Sequence, residues 1–263
     1  IRTLRLRGAL SQGLFMPLSL FPELESSAVR AGDDLTKTLA VGKYEPPAPT
    51  GMGDYRAPFP PMVPKTDEMR VQSLPEVLDE IAGLPYAVTL KYDGTSATFV
   101  IDPRTGEFHA ASRNQSLKDG NNPYWNMARQ YRIEETLRDH PNLALQGEIV
   151  GAGIQKNPLA LTEKSLFVFN VYDMTTAQYL GHDAAREFLA KARIPAVETL
   201  ETGEAFAYTQ AELLALAEGK YPATSNEREG IVVRPRTETH STALGGRLSF
   251  KTISNRYLLA ERD

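Results

Sequence analysis

Short apolar or alternating runs, separated by turn residues and interleaved with amphipathic stretches, set the rhythm of this chain and predict strands and helices mixed within one domain. Residues 2–7 alternate arginine with leucine, a strand-like pattern, and residues 11–18 continue as an extended apolar segment. Asp33 near the start of residues 32–39 predicts a short helix there. Residues 45–64 are rich in proline and glycine and predict an ordered crossing or a linker rather than an element. A serine and an acidic first turn open a helix over residues 73–81. The β-prone runs 86–90 and 95–101 flank Lys91-Tyr92-Asp93-Gly94, and Asp102-Pro103-Arg104-Thr105-Gly106 is turn chemistry leading into a returning strand at 107–111.

Further along, residues 125–138 have helical periodicity, with Trp125 readable either as core or as a platform for a stacked base. Residues 143–151 predict a strand in which Glu148 is flanked by apolar residues and glycines, followed by a loop at 151–158. Residues 166–173 form a near-continuous apolar run, expected as a strand buried on both faces. Amphipathic helices are expected at 183–193 and 210–218, and β-runs at 229–235 and 247–253. The fold class expected is α+β, antiparallel sheets flanked by helices. An amino-terminal arm or linker (1–64) is expected to pack on a main domain (65–263).

Composition narrows this picture. The 263 residues are 41% hydrophobic and 24% charged, ordinary for a globular chain that can bury a real core. With no membrane-length apolar run and no signal-peptide pattern, the expectation is a cytoplasmic protein, a monomer without a membrane partner. The absence of cysteine excludes disulfides and thiolate chemistry, and His109, His140, His182 and His240 show no ligand spacing, so a metal would need oxygen ligands. A net charge of −4 excludes a uniformly basic surface and leaves room only for a local basic groove.

The candidate chemistry centres on Lys91. On spacing alone Lys-x-Asp-Gly also suits a surface hairpin, but Lys91, Asp93, Arg113, Glu148, Glu229 and Lys251 all fall at ends of predicted strands. Antiparallel strands that converge there would form a cleft holding three cations and three carboxylates. Cations suit a polyphosphate, and carboxylates suit a hydrated divalent ion. A nucleophilic lysine needs its ammonium destabilised by burial, a second cation or a metal, and Lys251 and an ion would both serve. The chemistry that fits is attack of the Lys91 amine on the α-phosphate of a nucleoside triphosphate.

The ordered series Lys91-x-Asp93-Gly94, Ser112-Arg113-Asn114, Gly147-Glu148-Ile149-Val150-Gly151, the run 167–173, Glu229-Gly230-Ile231-Val232-Val233-Arg234 and Phe250-Lys251 resembles the successive motifs of the covalent nucleotidyltransferases, the polynucleotide ligases and capping enzymes. Gly151-x-Gly153-Ile154-Gln155-Lys156-Asn157 and the closing stretch from Lys251 to Leu259 most resemble RNA ligases. The opening Leu6-Arg7-Gly8-x-x-Ser11-Gln12-Gly13-Leu14, Gly32-Asp33-Asp34 and Lys43-Tyr44-Glu45-Pro46-Pro47 are similar to Deinococcus-type RNA ligases, in which an OB module precedes the catalytic domain. The resemblance implies an ATP-grasp-like ligase adenylation domain that uses ATP with Mg²⁺ or Mn²⁺. It implies that Lys91 takes AMP as a phosphoramidate, that Gly94 makes room for the nucleotide and that Arg113 contacts it. Glu148 would meet the ribose or the metal's waters, Phe169 (or Phe167) would stack on adenine, and Lys251 would bind the α-phosphate. Asp93, Glu148 and Glu229 would hold the metal through water. In the family a Lys-x-Lys pair is frequent near the end, and here its first position is Ser249.

Only 12 residues follow Lys251, too few for the OB domain that DNA ligases and capping enzymes carry there, so an OB module is expected upstream of Ile1. The expected activity is sealing of a 5′-phosphate to a 3′-OH on RNA or RNA-containing nicked duplexes in RNA repair. An ATP-dependent DNA ligase, a capping-type enzyme and a non-catalytic RNA-binding module are the alternatives.

Overall fold

Two sheets carry most of the chain in the computed structural model, which describes residues 53–260 throughout and, before them, residues 4–6, 9–11, 20–25, 29–30, 35 and 38–39. The chain divides into two units, residues 1–48 and 49–263. In the smaller unit β1 (Leu4–Leu6) and β2 (Ala9–Ser11) pair antiparallel, as the leucine–arginine alternation predicts, and α1 (Pro22–Glu25) is a single turn. The apolar segment expected after Ser11 and the short helix expected over 32–39 fall largely outside the described residues.

The larger unit contains, in order, β3 (Tyr55–Pro58), β4 (Met69–Arg70), α2 (Val77–Ile81), β5 (Tyr86–Lys91), β6 (Thr95–Ile101), β7 (Phe108–Ser112), β8 (Gln115–Leu117), α3 (Pro123–Gln130), α4 (Ile133–Asp139) and β9 (Leu143–Val150). There follow β10 (Ser165–Asp173), β11 (Gln178–Tyr179), α5 (His182–Ala192), β12 (Thr199–Gly203), α6 (Gln210–Ala217), β13 (Gly230–Pro235), β14 (His240–Ser241), β15 (Gly246–Arg247), β16 (Phe250–Ile253) and α7 (Asn255–Ala260). One sheet has seven strands in the order β11-β10-β9-β6-β7-β8-β3, and the other has five in the order β12-β5-β13-β16-β4. The pairs are antiparallel apart from β16 with β4, and the class is α+β as expected.

The unit boundary lies earlier than residue 64. Within the proline-rich stretch Tyr55–Pro58 pairs with β8, so these residues form an edge strand of the larger unit, where a missing N–H at proline costs no ladder bond. Residues 125–138 form two helices rather than one, broken at Arg132, whose φ of 52° is left-handed. Trp125 is core: it is buried and its indole N–H donates to the Leu117 carbonyl at 3.0 Å. α3 and α4 cover one face of the seven-stranded sheet through Phe99, Leu145, Ile133 and Leu137. α2 and α6 cover the five-stranded sheet through Val88, Ile231, Ile81 and Leu213. A capping box between Thr209 and Glu212 sets the start of α6.

Candidate active site

Lys91 is the last residue of β5, and Thr95 begins β6, but these strands belong to different sheets. The loop Tyr92-Asp93-Gly94 is therefore a crossing between sheets, and the surface-hairpin reading falls. Where the sheets face each other lies a cleft of about 290 Å³. Thr89, Lys91, Val232 and Lys251 line it from the five-stranded sheet, and Glu148 and Phe169 from the seven-stranded one. Register explains the convergence: Thr89, Val232 and Lys251 lie opposite one another across β5, β13 and β16, as do Ser96, Glu148 and Phe167 across β6, β9 and β10.

The Lys91 ammonium donates to Glu229 Oε2 at 2.6 Å, both side chains being mostly covered. Burial pushes the Glu229 carboxyl above its ordinary range, against the pull of Lys91. Burial also pushes Glu148 up to about 7; Lys91 opposes the shift, while Glu229 and Asp93 add to it. Lys251 is lowered, first by burial and then by the nearby Lys91 charge. Asp93 accepts a hydrogen bond from the Tyr257 hydroxyl at 2.8 Å. Arg113 sits at the mouth of the cleft, exposed and paired with Asp67. Lys91, Gly94, Arg113, Glu148, Phe169 and Lys251 line the cleft itself; Glu229 reaches Lys91 from its edge, and Asp93 lies near enough to Glu148 to push its carboxyl up.

Three details depart from the expectations. Gly94 lines the cleft, but a Cβ there would lie 2.3 Å from the Ile149 carbonyl oxygen, so it is glycine because β9 passes against it and not only to admit a ligand. Both aromatic candidates pack against one apolar cluster, but only Phe169 lines the cleft, whereas the Phe167 ring stacks on Tyr92 at 4.6 Å and 16°. The strand carrying them is not buried on both faces, since Phe167 and Phe169 are only half-buried. Phe169 is the extra residue of a β-bulge, between Val168 opposite Gly147 and Asn170 opposite Gln146. A bulge re-aims one side chain and frees its backbone groups, and Arg234 Nη1 donates to the Phe169 carbonyl at 2.9 Å.

Arg234 also accounts for the serine where a lysine is frequent. Its Nε donates to Ser249 Oγ and its Nη2 to Glu68, both at 2.8 Å, so the space beside buried Ser249 is filled by a guanidinium already paired with a carboxylate. Burial alone would raise Glu68, but Arg234 and Arg247 bring it below its ordinary value. This pair stands between the cleft and a neighbouring cavity of about 560 Å³ lined by Tyr172, Tyr179, Glu238 and Arg247.

Glu68, Arg234, Tyr221 and Tyr257 also stand at the site or hold its loop, beyond the residues expected there. A signal existed for Arg234 and Tyr257, which stand inside the quoted motifs; Tyr221, in the loop before β13, had none. Among the described residues no group of three or more His, Asp or Glu is arranged to grip an ion directly. Asp93 and Glu229 lie near enough to Glu148 to push its carboxyl up, and the three are oxygen donors of the kind a hard cation that keeps its waters prefers.

Known proteins share this fold. Naegleria gruberi RNA ligase is similar in structure: an alanine variant with ATP and Mn is 36% identical, with a TM-score of 0.73 over 100% of this chain and 76% of that one. A methionine variant with AMP and Mn and the ligase with PPi match with the same identity, coverage and score. No match was found among curated proteins. The model of the RNA ligase family matches residues 84–253, which run from the strand that ends in Lys91 to the strand that carries Lys251, and the chain belongs to that family.

Proposed function

We propose that this chain works as an ATP-dependent RNA ligase through a lysine-bound adenylate. The Lys91 amine, once its ammonium has lost a proton, attacks the α-phosphorus of ATP. A nitrogen–phosphorus bond forms, the bond to the β-phosphate oxygen breaks, and pyrophosphate leaves. A 5′-phosphate of RNA then displaces Lys91 from the adenylate, and a 3′-OH attacks that phosphate to join the strands with release of AMP.

One observation carries the reading: Lys91, Lys251, Glu148, Arg113 and Phe169 converge on one cleft sized for a nucleotide. Lys91 is the nucleophile, Phe169 and Val232 flank the base, Arg113 and Glu148 hold the sugar side, and Lys251 faces the α-phosphate. Gly94 gives the nucleotide a close approach at the rim. Glu229 accepts the ammonium N–H and so stands ready for its proton. Asp93, Glu148 and Glu229 would hold hydrated Mg²⁺ or Mn²⁺, which supplies charge neutralisation on the phosphates.

Substrates in this reading are nicks whose 3′-OH strand ends in ribonucleotides, met in RNA repair, with the enzyme acting as a cytoplasmic monomer. No helix among the described residues is long and apolar enough to cross a membrane. The test is sealing of matched nicks with ribonucleotide or deoxyribonucleotide 3′-OH ends, since the 2′-OH carries that choice. Preferential sealing of the ribonucleotide nick is expected. Equal sealing of an all-DNA nick points to a DNA ligase, and labelling by GTP in preference to ATP points to a capping-type enzyme.

A further inference from the structure

The loop that follows Lys91 is held by two hydroxyls from outside the sheets. Tyr221 is 1% exposed and lies between α6 and β13. Its hydroxyl donates to the Lys91 carbonyl at 3.1 Å and accepts from the backbone N–H groups of Asp93 at 2.9 Å and Glu229 at 3.2 Å. A phenol has one proton to give and two lone pairs to fill, so all three capacities are used on the nucleophile's own residue and on two carboxylate residues beside it. The contact stands where the β5–β13 ladder ends, its last pair being Lys91 with Gly230. Beyond that pair the strands part, and the hydroxyl takes the place of the missing ladder bonds. The ring acts too: Tyr92 is stacked between Phe167, at 4.6 Å, and Tyr221, at 6.1 Å and 7°.

The second hydroxyl, on Tyr257 of α7, donates to Asp93 Oδ2 at 2.8 Å. That helix is itself fixed at its start by Glu218, which accepts from the Ser254 hydroxyl and from the Asn255 backbone N–H. Backbone and side chain of the loop are thus secured by separate hydroxyls, on residues that do not line the cleft.

We propose that Tyr221 and Tyr257 are positioning residues, a hydroxyl clamp that keeps Lys91 and Asp93 in register with Glu229 for transfer of the adenylate. The inference rests on Lys91 being the nucleophile. Loss of the clamp leaves the base and phosphate contacts in place and misaligns the attacking amine, and a displacement on the order of 1 Å costs about 100-fold in rate. The measurement is single-turnover self-adenylylation as a function of ATP, beside thermal melting. For Tyr221→Phe the rate constant falls about 10- to 100-fold while the half-saturating ATP concentration stays within about twofold.

Tyr86→Phe is the control. Tyr86 lies on the same strand as Lys91, and the change removes another buried hydroxyl, bonded to Glu201 of β12, and lowers the melting temperature with the rate kept. If Tyr221→Phe does not fold, Tyr257→Phe decides, with the same split expected at threefold or more. A folded variant whose rate stays within twofold of wild type overturns the clamp, and so does an equal loss of rate in Tyr86→Phe. A wild-type chain that takes no label overturns the reading of Lys91 itself, and the clamp's role with it.

Discussion

Phe167 and Phe169 are two residues apart on one strand, yet their substitutions should separate completely. Phe169 projects from a bulge into the cleft, and in its proposed role its change to leucine removes an aromatic face from the base. Stacking of a base on an aromatic ring is worth about 1–3 kcal/mol by alanine substitution. Leucine keeps part of the apolar surface, so the expected loss is about 1–1.5 kcal/mol, or roughly 5- to 12-fold in affinity. Phe167 instead stacks on Tyr92. Its change to leucine gives up an aromatic pair worth about 0.5–1.5 kcal/mol, and about 1 kcal/mol lowers the melting temperature of a domain this size by about 2–4 °C. The assay is single-turnover adenylylation over a range of ATP concentrations, with melting of the same samples. Phe169→Leu should raise the half-saturating ATP concentration with little change in melting, and Phe167→Leu should do the reverse. A larger ATP effect from Phe167→Leu would refute the assignment of the base platform.

Two further outcomes follow from the electrostatics. Glu148, pushed up to about 7 by burial, is largely protonated below that pH, and a divalent cation favours its ionised form. Calorimetric Mn²⁺ titrations in buffers of differing ionisation enthalpy should therefore show more proton release at about pH 6 than at about pH 8.5, with the difference reduced in Glu148→Gln. Equal release at both pH values would contradict this. Restoring the frequent lysine by Ser249→Lys should not improve the enzyme: the site is buried against Arg234, whose carboxylate partner Glu68 is already taken, and an added cation with no partner there costs about 3 kcal/mol. A urea melt that shows no destabilisation would be the contrary result.

Much of this was legible in the chain because strand ends and charged residues coincide there. The runs ending at Lys91 and Val150 formed strands within a residue or two of their expected limits, the run expected over 247–253 kept only its second half, 250–253, in β16, and the six charged residues at predicted strand ends gathered around one cleft. What could not be read is how strands are shared between sheets, since alternation along β5 and β6 is the same whether they form a hairpin or part company at Gly94. The bulge at Phe169 has no compositional mark, and only the two-against-one register tells it from Phe167. Tyr55–Pro58 was hidden by its proline, which an edge strand tolerates. Tyr221 looks in sequence like any loop tyrosine, because its meaning comes from three backbone groups brought to it from Lys91, Asp93 and Glu229. At Ser249 the space beside the side chain is already filled by Arg234, which stands 15 residues earlier in the chain, and spacing along the sequence does not reveal that contact.

Every role given to the cleft depends on Lys91 carrying the adenylate. Intact-mass analysis of the protein incubated with ATP and Mn²⁺, followed by peptide mapping of the adduct, locates the modified residue. A single acid-labile adenylate is expected on the peptide that contains Lys91, absent from Lys91→Ala and discharged by pyrophosphate. An adenylate on another residue, or one that persists in Lys91→Ala, would show that Lys91 is not the nucleophile.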